Sequence, residues 1–274
     1  MQVSFWSNSH QLGTTHNMAA AAVLAALEYR LRILMVQTHF DRSSLESAFI
    51  ERRYLRSELV DFSDTGLDAL SRFIRFNRVD KDVIAGYSTT ILKNKLDLLF
   101  GTRNTNREIY VSNLKNVIGT ILQAASAHYD LVLVDTAPGS NEISEKILEQ
   151  SDLIIVNLSQ NIHILEDFLD GSTQTRDKQM ILLGKYDPNS RFNLKAIRKM
   201  AGSIQVMAIP YDIGFADACA ESRVVDFFLK NLNVERDDPH YPFIQAVRET
   251  VGAILERLNI DTAQKKIQAG NGHE

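Results

Sequence analysis

Apolar and polar positions along the chain fall into two rhythms. Short continuous apolar runs bounded by polar loops have the length of buried strands, while longer segments with apolar residues three and four positions apart have the period of helices. The strand-like runs lie at residues 3–6 (VSFW), 32–37 (RILMVQ), 96–100 (LDLLF), 131–134 (LVLV), 152–157 (DLIIVN), 180–183 (MILL) and 204–209 (IQVMAI). Between them the pattern predicts an alanine-rich helix ending near Tyr29 and a short helix from Leu45, with Ser43 or Ser44 as its cap. A charged helical layer follows over residues 51–78, with Leu67, Leu70, Phe73 and Ile74 as its apolar stripe. One long helix is expected over residues 107–128, where Leu114, Val117, Ile118, Ile121, Leu122 and Ala125 share a face. Further helices are expected around residues 165–169, 216–220, 224–232 and 243–258. Residues 1–258 are thus expected to form a single domain, with 259–274 a polar tail that frays.

Strand and helix alternate throughout. That order calls for an α/β fold: a mostly parallel sheet with helices on both faces, joined by right-handed crossovers. Ligands of such sheets sit beyond the carboxyl ends of the strands. The loops at residues 8–16, 38–42, 135–141, 184–188 and 210–212 are therefore expected to converge on one site.

Composition narrows the class. A chain of 274 residues can bury a full α/β core without a second module. Its net charge of -4 argues against a protein coated in nucleic acid. Cys219, the sole cysteine, allows no internal disulfide and suits a reducing compartment. No apolar run reaches membrane-spanning length, and the start MQVSFWSNSH lacks the features of a secretory signal, so a cytoplasmic location is expected.

The candidate chemistry begins at the first loop. A buried strand, a polar loop ending in glycine and a long helix form the frame of a phosphate-binding loop, in which backbone N–H groups and a helix N-terminus face an anion. The pattern G-x-x-x-x-G-K-S/T falls on Asn8, Ser9, His10, Gln11, Leu12, Gly13, Thr14 and Thr15. Only the last glycine and the Thr15 hydroxyl survive, and Thr14 stands in place of the lysine. The plainer alternative is a strand–helix turn capped by Thr15. Asp135 ends the buried run LVLV and needs a partner there, whether a ligand, a cap or a hydrogen bond to the first loop.

Other signals are weaker. His10, His16 and His39 map to the same mouth as Asp41 and Asp135, but their spacing matches no zinc pattern. Solvent-facing or singly bonded imidazoles are expected, with protonated stand-ins for lysine as the alternative. Arginines 52, 53, 56, 72, 75 and 78 are interspersed with Glu51, Glu58, Asp61, Asp64 and Asp68, which favours a solvated mixed face over a DNA surface. The helix at 243–258 carries Glu249 and Glu256 and no lysine cluster, so it is expected to cover the sheet and not to anchor in a membrane. Phe227 and Phe228 are expected in the core, with a dimer contact as the other option.

The order of motifs resembles the MinD/ParA family of deviant P-loop ATPases. Four segments carry the resemblance: SNSHQLGTTHNMAAAA, YDLVLVDTAPGSN, ILLGKYD and IPYDIGFADACAESRVVDFFLKN. Within the family, the missing lysines and the phrase QTHFDRSSLES are most similar to the divergent branch near TadZ, the pilus-localising member. The resemblance implies ATP and Mg2+ at the first loop, with Gly13, Thr14 and Thr15 around the β-phosphate and Thr15 on the metal. It places Ser9, His10, Gln11, Leu12, His16 and Lys185 in the nucleotide site and Asp135 beside a magnesium water. Pro210 and Asp212 would flank the base and ribose.

The departures from the family are chemical. Its signature lysine aligns with Ser9, its P-loop lysine with Thr14, its acidic residues after the second strand with Gln37 and His39, and its adenine-reading asparagine with Gly184. Each lysine–phosphate contact contributes about 1.5–3 kcal/mol. Losing two weakens binding by roughly two to four orders of magnitude. Hydrolysis suffers more, because electrostatic stabilisation is most of the catalysis in this class. The resemblance therefore implies a homodimeric spatial organiser or assembly adaptor for a pilus or secretion machine. It also implies a nucleotide site that binds ATP weakly and hydrolyses it poorly or not at all. Nucleic acid is not an expected partner. The alternatives are an active ParA-type partition ATPase and a pseudo-ATPase that holds proteins without nucleotide.

Overall fold

The computed structural model describes residues 1–40, 44–55, 64–77, 79, 82–171 and 176–267. Asp41, Arg42, Ser43, Arg56, Glu58, Asp61 and Arg78 lie outside these residues. The chain opens with β1 (Gln2–Trp6), α1 (Thr14–Glu28) and β2 (Ile33–Gln37), followed by the short helices α2 (Ser44–Ser47) and α3 (Arg52–Leu55). Next come α4 (Gly66–Ile74), α5 (Val83–Tyr87), the hairpin β3 (Thr89–Leu92) and β4 (Leu96–Leu99), then α6 (Arg107–Leu114), α7 (Ile118–His128) and β5 (Leu131–Asp135). The second half runs α8 (Glu142–Gln150), β6 (Leu153–Leu158), α9 (Ile162–Gly171), β7 (Gln179–Tyr186), α10 (Leu194–Ala201) and β8 (Gln205–Pro210). It closes with α11 (Ile213–Ala220), α12 (Val224–Asn231), α13 (Tyr241–Arg257) and α14 (Thr262–Lys265).

The strands form one sheet in the order β3-β4-β2-β5-β1-β6-β7-β8. Every pairing is parallel except β3 with β4. Successive residues of a strand serve opposite faces. Phe5, Met35, Leu133, Ile155 and Leu182 pack with α1 and α13, while Leu34, Val36, Val132 and Val134 pack with α4, α6 and α7. Ile154, Val156, Ile181 and Leu183 join α9 and α10 in a third cluster. Burial on both faces is why these strands read as continuous apolar runs instead of alternating ones.

Helix α1 is buried almost all round, and its alanines let it fit between the sheet and α13. Helix α13 covers that layer as its spacing predicts. Phe227 and Phe228 sit in an aromatic cluster with Phe215 and Phe243, inside the core.

The structure corrects several expectations. The single helix expected over 107–128 is two helices, broken at residues 115–117. No proline or glycine marks the break; Lys146 Nζ from α8 donates to the Lys115 carbonyl at 2.8 Å, which satisfies the freed acceptor. Strand β3 and helices α8 and α10 escaped the apolar pattern. The edge strand β3 is only partly buried, and the two helices bury thin stripes, Ile143 and Ile147 in one, Ile197 and Ala201 in the other. The polar stretch after 258 is tied down as far as Ile267, through Arg30 N–H to Lys265 O (2.7 Å) and Ile267 N–H to Glu28 O (2.8 Å). No helix among the described residues is long and apolar enough to cross a membrane.

Candidate functional site

The loop between β1 and α1 closes a cleft of about 300 Å3 at the carboxyl edge of the sheet. Gly13 turns the chain into α1 at φ 84°, a left-handed conformation in which glycine carries no steric penalty. Helix α1 then begins without a side-chain cap and without an acidic residue in its first turn. Its leading N–H groups and positive dipole end are left for an external acceptor. Ser9, His10, Gln11, Leu12, Gly13, Thr14, Thr15 and His16 all line the cleft, joined by His39, Thr136, Pro138 and Lys185. Thr14, at the lysine position, is buried and donates to Ser7 Oγ at 3.3 Å, while the Ser7 hydroxyl donates to Ser9 O at 2.7 Å. The side chain that grips phosphate in the pattern here braces the loop.

Thr15 is not a cap. Its hydroxyl donates to Asp135 Oδ2 at 2.8 Å, joining α1 to the end of β5. Asp135 is fully buried, and its Oδ1 accepts no hydrogen bond. His39 Nε2 stands 3.3 Å from that oxygen, at ion-pair distance but without hydrogen-bond alignment. A hydroxyl and a carboxylate with a spare oxygen are hard donors that suit Mg2+, which takes its remaining ligands from phosphate and water. Among the described residues, no three His, Cys, Asp or Glu side chains gather as a preformed metal cage.

Beyond His10, His39 and Pro138 the cleft continues into a cavity of about 670 Å3. Phe40 and Tyr110 form part of its wall, with ring centroids 5.5 Å apart, and the Tyr110 hydroxyl donates to Thr38 O at 2.7 Å. Burial pushes the Tyr110 pKa up, which keeps the phenol a donor.

Beneath this region lies Glu46, a residue the sequence did not single out. It is buried and accepts the Gly101 N–H at 2.8 Å through Oε1, while Oε2 has no partner. Burial raises its pKa to about 7, with the negative charge of Asp135 adding to the rise; the Gly101 bond, Arg103 and His39 oppose it. Gln37 turns away from the cleft to accept the Leu45 N–H at 3.1 Å. His16 stays accessible, but crowding by protein atoms and the Lys185 ammonium lower its pKa, against a smaller raising effect of Asp135.

The end of β7 meets the loop directly. A Cβ at Gly184 would lie 2.7 Å from Leu12 O and 3.0 Å from Asn17 Nδ2, so the asparagine of the resembled family has no room here. Asn17 is held by its own bond to Asn157 Oδ1 at 2.9 Å. Pro210 and Asp212, expected at the nucleotide, do not line the cleft. Asp212 instead caps α11 through Phe215 N–H (2.8 Å) and meets His240 Nδ1 at 2.8 Å, so both oxygens are engaged.

Solved structures share this fold. A ParA family ATPase from Chlorobium tepidum TLS superposes with TM-score 0.72 at 16% identity, covering 91% of this chain and 98% of that one. The chain has the ParA/MinD fold. The septum site-determining protein MinD of Pyrococcus horikoshii OT3, complexed with Mg-ADP, gives TM-score 0.64 at 14% identity over 93% and 98% of the two chains. The MinC:MinD cell division complex of Aquifex aeolicus gives TM-score 0.64 at 15% identity over 93% and 96%. No family model matches the sequence, and no curated protein matches it. At this level of identity the likeness is one of fold.

Proposed function

We propose that the protein is a ParA/MinD-like spatial organiser whose phosphate cleft is a degraded ATP switch. The observation that carries this reading is the Thr15–Asp135 hydrogen bond beneath a loop whose lysine positions hold Ser9 and Thr14. The part of the site that would hold magnesium persists, while the cations that grip and polarise phosphate do not. ATP binds weakly through the N–H groups of residues 13–16, with Mg2+ at Thr15 and Asp135 neutralising the phosphates. Hydrolysis is slow or absent, because Gln37 and His39 supply no carboxylate to position water. The molecule works as a homodimer in the cytoplasm and marks an assembly site for a protein machine, in the manner of TadZ and pilus or secretion systems. Support for a protein partner comes from the MinC:MinD complex, a neighbour in fold.

Calorimetry with Mg-ATP and a radiolabelled hydrolysis assay test this reading together. Binding weaker than micromolar, with turnover near background, is the expected result. Family-normal turnover abolished by Asp135→Ala would overturn it in favour of a partition ATPase. An absence of heat at millimolar ligand would favour the nucleotide-free adaptor.

A further inference from the structure

The geometry points to Lys185, at the end of β7, as the cation that replaces the P-loop lysine in contacting bound phosphate. This inference rests on the phosphate-binding reading of the cleft. Arg107 lines the adjoining cavity; among the described residues, Lys185 is the one lysine or arginine lining the part of the cleft closed by the phosphate loop. Its ammonium has no ion pair or hydrogen bond among them and is exposed. Its charge is felt at His16, on the first turn of α1.

The backbone explains how it arrives there. Lys185 has φ 52°, a left-handed conformation uncommon for a residue with a side chain. It coincides with a register shift between β7 and β8, where pairing breaks after Leu183 and resumes at Tyr186. The preceding Gly184 abuts Leu12 O, with only 2.7 Å for any Cβ, so the strand end is pressed against the phosphate loop. A strained residue held against an anion cradle, with a free charge, is the kind of outlier that marks function. Behind the opposite wall, where His39 lines the cleft, Asp135 is fully buried with Oδ1 lacking a hydrogen bond, a negative group that Mg2+ held at Thr15 would help to balance. A cation from β7 then meets the phosphates from the side opposite β5 and β2, the strands flanking that wall.

The test uses the full chain with inorganic pyrophosphate and Mg2+, read by calorimetry and by the fluorescence of Trp6. That indole, the single tryptophan, donates to Gly139 O in the loop after β5, so it reports on the cleft without any turnover. Lys185→Ala is expected to weaken pyrophosphate about 10- to 100-fold, and Lys185→Arg to stay near wild type. Thr14→Lys combined with Lys185→Ala should restore binding, since the charge returns to the lysine position of the pattern. Lys185→Gly should raise Tm by relieving the left-handed conformation while still weakening binding, a split that a purely structural role would not produce. Pyrophosphate affinity within twofold of wild type in Lys185→Ala would overturn the assignment. No binding by the wild-type chain would overturn it too, by removing the phosphate reading on which it stands.

Discussion

The Thr15 hydroxyl donates to Asp135 Oδ2 at 2.8 Å, linking residues 120 positions apart in the chain. The bond fixes the first turn of α1 against the end of β5 and leaves the buried Asp135 Oδ1 without a hydrogen bond, 3.3 Å from His39 Nε2.

Removing the donor should expose its value. Thr15→Val leaves a fully buried carboxylate without its hydroxyl partner, which costs about 1–3 kcal/mol. Thr15→Ser keeps the bond and should remain within about 0.5 kcal/mol of wild type. Urea denaturation of the two variants is the check, and equal losses in both would show that the methyl group and not the hydroxyl matters.

A matched pair of glycines tests the closeness of β7 to the loop. Gly184→Ala pushes a methyl to within 2.7 Å of the Leu12 carbonyl, and overpacking of this kind costs about 1–3 kcal/mol. Gly252, inside α13, has nothing within 4 Å of its added Cβ, so Gly252→Ala should stabilise by about 0.5–1 kcal/mol. Thermal unfolding distinguishes them by sign.

Glu46 gives stability a pH dependence. Its folded pKa of about 7 lies above the ordinary 4.5, so folding takes up a proton between those values. The resulting stability is fully present below about pH 4.5 and is lost as pH rises through about 7. Glu46→Gln keeps an acceptor for the Gly101 N–H and removes the charge. Relative to wild type it should gain stability with rising pH, by at most on the order of 3 kcal/mol above neutrality. Parallel pH profiles of Tm for the two proteins would contradict this.

The cleft beside residues 8–16 and its contact with the end of 131–135 were readable as a candidate site, because a strand, a glycine turn, a hydroxyl and a strand-ending aspartate are local patterns with fixed consequences. The fold was readable because strands buried on both faces leave unmistakable apolar runs. What stayed hidden depends on tertiary approach. Gly184 looks like any glycine until Leu12 O is seen against it, and Glu46 looks like a surface charge in a polar segment until it is found buried with the Gly101 N–H bonded to it. Asp212 carried a family role in the sequence, yet its oxygens serve Phe215 and His240. The break near Lys115 has no local breaker, only a distant lysine to satisfy it.

The most direct test is a crystal structure of the full chain saturated with Mg-AMPPNP. The account expects the phosphates against the backbone N–H groups of Gly13, Thr14 and Thr15, with the metal on the Thr15 hydroxyl and Asp135 beside it. Nucleotide bound in a different cleft, with residues 8–16 unchanged and vacant at saturating ligand, would contradict it.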